Sequence, residues 1–213
     1  MDRLLGFFSG FPSHHFPADV ADRLRGELAR RDSMAFVCTD PAGHAKTDRY
    51  AAIMHGCFEE IGLPFAQVHV IDDRVEPSRA AQLVQEASCV HLMGGNTGTQ
   101  LQFLRETGLD SAICDSPAAL LGVSAGAINM GKRSLNTEES LVPYEGLGLA
   151  DITVHPHFDP NDKEMLSALL RVSKDLPICA MEDDSAIFVA GERVSSMGKI
   201  HWIHRGEICP FSA

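Results

Sequence analysis

The chain has 213 residues, 45% of them hydrophobic, with 29 acidic against 18 basic side chains and a formal net charge of −11. That length and apolar content fit one domain with a sizeable core, while the acidic balance and the lack of a basic stripe speak against a nucleic-acid partner, whose phosphates demand clustered Lys and Arg. No window reaches the roughly 18 apolar residues of a membrane span, and MDRLLGFFSGF is too short an apolar run for a secretory signal, so a cytoplasmic protein with no membrane partner is expected.

In chain order, the apolar run LLGFF reads as a strand, VADRLRGELARR has helical periodicity, and MAFVC with DRYAAIMHGCFEEIG repeats the pair. FAQVHVI, SRAAQLVQEA opened by Pro77 and Ser78, CVHLM, TGTQLQFLRETG, AALLGV and AGAINMG continue the rhythm. This alternation predicts an α/β fold, a mostly parallel sheet covered by helices on both faces. Further on, ADITVHPHFDP ends in Asp159 and Pro160, which suit the start of a helix over NDKEMLSALLRVSKD, and Leu176 to Met181 reads as another strand. The tail SAIFVAGERVSSMGKIHWIHRGE alternates apolar and polar residues around Gly191-Glu192 and Gly198-Lys199, predicting antiparallel hairpin strands near the C-terminus. The six cysteines, Cys38, Cys57, Cys89, Cys114, Cys179 and Cys209, lack CxxC spacing and read as buried thiols, not as a disulfide frame or zinc site.

Chemistry concentrates at Gly122-Val123-Ser124-Ala125-Gly126, between the strand AALLGV and the helix AGAINMG. G-x-S-x-G in that context is the pattern of a nucleophile elbow, a sharp turn that lifts a serine hydroxyl above a sheet, with glycines where side chains would clash. Small residues also allow close helix-strand packing, so the pentapeptide alone leaves a structural turn open. A serine nucleophile needs donors for the oxyanion of its tetrahedral intermediate. The Ala125 amide supplies one, and the strand-to-helix turn Gly94-Gly95-Asn96-Thr97 offers the Gly95 amide as a second. A phosphate cradle is the other reading of that turn, but neither G-x-G-x-x-G nor Gly-Lys-Ser/Thr is present. Asn96 and Thr97 are candidates for substrate contact.

Among the ten histidines, His157 stands directly after a strand in ITVHPHFDP, where the carboxyl ends of parallel strands share a rim. It is the candidate base. His155 is the rival, and a structural pair or an H-x-H metal site stays open at this point. LPICAM leads into Glu182-Asp183-Asp184, carboxylates of which at least one can orient the imidazole. Arg133 after the elbow helix and Arg171 at the end of the later helix are candidate cations for a free terminus or acidic side chain of a substrate.

These residues resemble those of the serine peptidases that include dipeptidase E (aspartyl dipeptidase) and cyanophycinase. The resemblance rests on Gly94 to Thr97, Gly122 to Ala127, Pro156-His157-Phe158 and Glu182 to Ile187, in the family's order and spacing across most of the chain, and it is closer to dipeptidase E than to cyanophycinase. It implies a three-layer α/β/α fold of the class I glutamine amidotransferase-like type. It also implies a Ser124 nucleophile, a His157 base, the Gly95 and Ala125 amides as oxyanion hole, and an acid at Asp183. Glu182 is the displaced alternative for that acid, and Glu139, fifteen residues after the nucleophile, is a weaker one. The implied partner is a short peptide, with no cofactor and no metal, and a homodimer is left open. The segment between Phe158 and Leu170 carries no arginine, which departs from the aspartyl dipeptidases.

Two other readings compete. One is an α/β-hydrolase-type esterase using Ser124 with His201 or His204 as base and Asp151 or Asp183 as acid. The other is a non-catalytic small-molecule binding protein of the same fold.

Overall fold

Strand β1 (Leu4–Phe8) is buried along its whole length, with Leu5 and Phe7 facing one apolar cluster and Leu4 and Phe8 the other. A strand with two apolar faces must lie inside a sheet covered on both sides. The computed structural model, which describes residues 2–137 and 139–211, supplies that cover. From β1 the chain runs through α1 (Ala18–Glu27), β2 (Ser33–Val37), α2 (His44–Glu60), β3 (Gln67–Ile71), α3 (Pro77–Glu86) and β4 (Cys89–Leu92). It continues through α4 (Thr97–Thr107), α5 (Leu109–Asp115), β5 (Ala119–Val123) and α6 (Ala125–Met130). The second half holds β6 (Arg133–Asn136), β7 (Val142–Glu145), β8 (Val154–His155), α7 (Lys163–Val172), β9 (Ile178–Met181), β10 (Ala186–Ala190), β11 (Arg193–Met197), β12 (Ile200–His204) and β13 (Glu207–Pro210).

The central sheet has the order β11-β10-β1-β5-β4-β2-β3. Strands β1, β5, β4, β2 and β3 are mutually parallel, whereas β10 and β11 add antiparallel pairs at one edge. On one face, Val20, Leu24, Ala51 and Phe58 of α1 and α2 pack against Phe8, Phe36 and Leu121; on the other, α3 to α6 pack against Phe7, Val37, Leu92 and Leu120. This is the expected three-layer arrangement. A smaller sheet, β13-β12-β9-β8, and α7 enclose a third cluster that includes Phe158, Leu169, Ile178 and Ile203.

Several expectations need correction. The turn at Gly191-Glu192 does join a hairpin, β10 to β11, with Gly191 at φ 61°. Gly198-Lys199 does not, because β11 belongs to the central sheet and β12 to the smaller one. The second hairpin is β12 to β13, turning through Arg205 and Gly206, both at positive φ as a tight two-residue turn requires. Helix α7 starts after Asp162 and not at Asp159-Pro160: the Asp162 carboxylate accepts from the Glu164 and Met165 amides at 3.1 and 2.9 Å. Gly108, at φ 72°, splits the helical segment after β4 into α4 and α5. The ribbon β6-β7 had no sequence signal. Of the cysteines, Cys38, Cys57, Cys89 and Cys179 are buried, but Cys114 and Cys209 are exposed. No helix among the described residues is long and apolar enough to cross a membrane.

Candidate active site

The turn from β5 into α6 is built by crowding. A side chain at Gly122 would press on the backbone of Gly126 and Ala127, and one at Gly126 would collide with the Leu92 carbonyl. Only glycines let α6 leave β5 at this angle while it crosses β4. Ser124, at the junction, has φ 52° and ψ −114°, a conformation costing a non-glycine residue about 1–3 kcal/mol. Backbone bonds hold it there: the Ser124 amide donates to the Phe8 carbonyl at 3.0 Å, and its own carbonyl accepts from the Ile128 amide at 3.0 Å. Ala125 is the first residue of α6, so its N–H has no acceptor within the helix.

His157 follows β8 at φ 56°, a turn that carries its ring away from the buried strand. Its backbone N–H donates to Ser9 Oγ at 2.8 Å, and that hydroxyl donates onward to the Met181 carbonyl at 3.0 Å. Its Nδ1 lies 2.6 Å from Asp183 Oδ1. Asp183 is held in turn by its neighbour, since the Asp184 amide donates to the Gly10 carbonyl at 2.8 Å. Ser9 and Gly10, immediately beyond β1, therefore brace both partners of the His157–Asp183 pair.

Ser124 and His157 line one cavity of about 360 Å³, together with Gly94 and Gly95. Gly95 has φ 144°, and the space its side chain would need is taken by Thr39, whose hydroxyl donates to the Gly94 carbonyl at 2.8 Å. The cavity runs from this rim between the sheet and α2, past Phe36, His91, Met54 and Met93. Lys46 and Asp40 are exposed at its lining.

The other sequence candidates fall elsewhere. His155 is buried in β8 and does not line the cavity; burial, with a contribution from His157, holds its pKa down to about 4. Glu182 turns to His201, with Oε1 2.7 Å from Nε2, and so meets a different imidazole from Asp183. Neither His201 nor His204 lines the cavity, which leaves the esterase reading without its base there. Glu139 is exposed in the turn between β6 and β7, outside the cavity lining. Asn96 caps α4, accepting from the Thr99 amide at 2.8 Å, and Thr97 is buried with its carbonyl accepting from Asn129. Both shape the turn without lining the cavity. Arg133 and Arg171 also lie off the lining: Arg133 reaches the Asp175 carbonyl at 3.5 Å and Arg171 the Ser167 hydroxyl at 3.0 Å. The basic side chain in the cavity lining is Lys46 of α2. Sequence reasoning missed Ser9, Gly10, Thr39, Lys46 and His91. Ser9-Gly10 and Thr39 were reachable by the rule that singled out His157, since both follow a strand end.

Among the described residues, His44, Asp72 and Asp73 bring metal-type ligand atoms within 4.8 Å of one another. Their chemistry is already engaged: both Asp72 oxygens accept from Arg74, and His44 pairs with Asp73 at 2.5 Å.

Comparison with known proteins places the chain among peptidases. The uncharacterized peptidase Lin0382 of Listeria innocua serovar 6a is 28% identical over 149 residues, 64% of this chain and 70% of that protein. The crystal structure of a peptidase from an acI-B1 Actinobacterium superposes with a TM-score of 0.73 at 17% identity, covering 99% of this chain and 98% of that one. A candidate peptidase E from Listeria monocytogenes EGD-e superposes with a TM-score of 0.69 at 20% identity, covering 92% and 98%. At these identities the two structures speak for the fold. The family model for peptidase family S51 matches residues 7–197, most of the chain, so this chain belongs to peptidase family S51 and is a peptidase.

Proposed function

We propose that the protein is a serine peptidase acting on short peptides through an acyl-enzyme intermediate, with Ser124 as nucleophile, His157 as general base and Asp183 as the residue that orients it. The observation that carries this reading is the convergence of Ser124, the Asp183-paired His157 and Gly95 on one cavity. With Nδ1–H donated to Asp183, the His157 ring has Nε2 as its proton acceptor. Ser124 Oγ attacks the scissile carbonyl as His157 takes its proton. The Gly95 and Ala125 amides face the developing oxyanion, and the same proton then passes to the leaving amine. Water repeats the cycle on the ester and frees Ser124.

Two features favour a short substrate. The cavity is near the lower end of the roughly 300–1,000 Å³ range of small-ligand sites. It is also bounded by α2, which carries five of its lining residues, Lys46, Thr47, Tyr50, Ile53 and Met54.

The test is covalent trapping combined with a dipeptide library read by mass spectrometry. A fluorophosphonate is expected to label Ser124 of the wild type and to leave Ser124→Ala unlabelled, and Ser124→Ala should lose at least about 10³-fold in kcat. Turnover that survives in Ser124→Ala would sink the assignment of the nucleophile.

A further inference from the structure

The oxyanion donor assigned to Gly95 depends on how one peptide plane is turned. Gly94 lies against the nucleophile, since a side chain there would sit 3.4 Å from Ser124 Cβ, and the Gly95 N–H has no acceptor among the described residues. The Gly94 carbonyl and the Gly95 N–H belong to one planar trans unit and point in opposite directions. Neither residue has a side chain to resist rotation of that unit, and Gly95 sits at φ 144°, so local sterics leave its direction open. Something outside the turn must fix it. Thr39, buried just beyond β2, donates its hydroxyl to the Gly94 carbonyl at 2.8 Å.

Thr39 is itself held by a buried polar chain. Gln100 of α4, with no exposed surface, donates through Nε2 to the carbonyls of Cys38 at 3.3 Å and Met93 at 3.1 Å, the residues immediately before Thr39 and Gly94. Its Oε1 accepts from Asn129 Nδ2 at 3.0 Å. Asn129 also donates to the Thr97 carbonyl at 3.0 Å, and its Oδ1 accepts from the Tyr144 hydroxyl at 2.6 Å. Each of the two amide side chains thereby uses both hydrogens of its NH2 group and its carbonyl oxygen, and a fully paired network in the interior is rigid and specifies one arrangement. Asn129 belongs to α6, whose first residue is Ala125. One chain of hydrogen bonds thus joins the helix that presents the Ala125 amide to the strand ends that carry Thr39 and Gly94.

From this geometry we infer that Thr39 is a positioning residue: its hydroxyl holds the Gly94–Gly95 peptide with the N–H turned toward the cavity that Ser124 lines, while Gln100 and Asn129 keep that peptide and the Ala125 amide at a fixed separation. The two halves of the oxyanion hole come from different strand-to-helix turns, and this chain is what registers one against the other.

The inference rests on the serine-peptidase reading for the use of the two amides, but the orientation of the peptide is measurable without turnover. The probe is a fluorophosphonate, whose phosphoryl oxygen takes the place of the oxyanion as Ser124 Oγ displaces fluoride from phosphorus. Thr39→Val removes the hydroxyl at nearly constant shape, and Thr39→Ser keeps it. The rate of labelling at Ser124 is expected to fall by about 10²-fold in Thr39→Val, the scale of a lost oxyanion donor, and to stay within about three-fold of wild type in Thr39→Ser. A spectroscopic signature separates this from general loosening. In the wild-type adduct the amide protons of Gly95 and Ala125 should both move downfield as they donate to the phosphoryl oxygen, whereas in Thr39→Val only that of Ala125 should. Crystal structures of the free proteins read the peptide itself, expected rotated in Thr39→Val and as in wild type in Thr39→Ser. Thermal melts verify folding, and Thr39→Ala replaces the valine variant if that one is unfolded. Equal labelling of Thr39→Val and wild type, a Gly95 proton that still moves in Thr39→Val, or a loss in Thr39→Ser as large as in Thr39→Val overturns the inference. If wild type is not labelled at all, the serine mechanism falls and the crystals alone decide the inference: a rotated peptide in Thr39→Val keeps it, and an unmoved one overturns it.

Discussion

At Gly10 a Cβ would fall well inside contact distance of the His157 ring and 3.0 Å from Asp183 Oδ1. Gly10→Ala therefore leaves the core untouched and pushes on the proposed base, His157, and on Asp183, which orients it. A displacement of about 1 Å at such a pair costs on the order of 10²-fold in rate. The expected result is a drop of that size in kcat with a melting temperature close to wild type; unchanged kinetics would mean the pair relaxes freely. Ser9→Ala acts differently. It leaves the partly buried His157 amide without its acceptor, while the Met181 carbonyl keeps the Phe158 amide as donor at 2.9 Å, so it should cost about 1–3 kcal/mol in stability as well as activity, measurable by urea denaturation. Asp183→Asn removes the carboxylate acceptor for Nδ1–H and should lower kcat by about 10²–10⁴-fold with KM little changed. Glu182→Gln, facing His201, should not reproduce this; an equal loss in both variants would reassign the acid.

At the scale of elements, α6 is seated by glycine. Gly126→Ala places a methyl on the Leu92 backbone, which no rotamer change relieves, so α6 must lift from β4. Overpacking of this kind costs about 1–3 kcal/mol, and because Ser124 and Ala125 ride on the first turn of α6, turnover should fall with it. Circular dichroism melts and steady-state kinetics on the same preparation check the coupling: loss of stability with full activity would show that the elbow does not depend on α6. Asp162→Ala at the start of α7 supplies the contrast. It removes a cap worth about 0.5–2 kcal/mol, yet α7 contributes nothing to the cavity lining, so stability should fall and kinetics should not.

For the molecule as a whole, two buried imidazoles set a pH limit. Burial is the main cause that brings the pKa of both His91 and His155 from the ordinary 6.5 down to about 4. Between those values the unfolded chain binds protons that the folded chain does not, so stability falls as pH drops from about 6.5 and the loss is complete below about 4. Each residue contributes on the order of 2 kcal/mol to that loss at pH 4.5. Urea midpoints at pH 7 and pH 4.5 should therefore separate strongly, and His155→Leu should narrow the gap. An identical gap in that variant would clear His155 of responsibility.

How much of this was legible beforehand follows the range of the forces involved. The two-faced sheet was, because Leu4 to Phe8 and the runs around Phe36 and Leu120 carry their burial pattern in consecutive residues. The tight turn from β5 into α6 was also legible, because Gly122, Ser124 and Gly126 meet a backbone demand spanning five positions. By itself, then, the sequence determined the layering, the strained serine and a histidine at a strand end. Only the tertiary structure decided the rest. Asp183 and Glu182 are chemically alike and adjacent; what separates them is that the turn after β9 docks on Gly10, aiming one carboxylate at His157 and the other at His201. Lys46 lines the cavity and Arg133 and Arg171 do not, because α2 crosses the strand ends from a distant part of the chain. Such juxtapositions depend on where whole elements pack, and local periodicity carries no information about that.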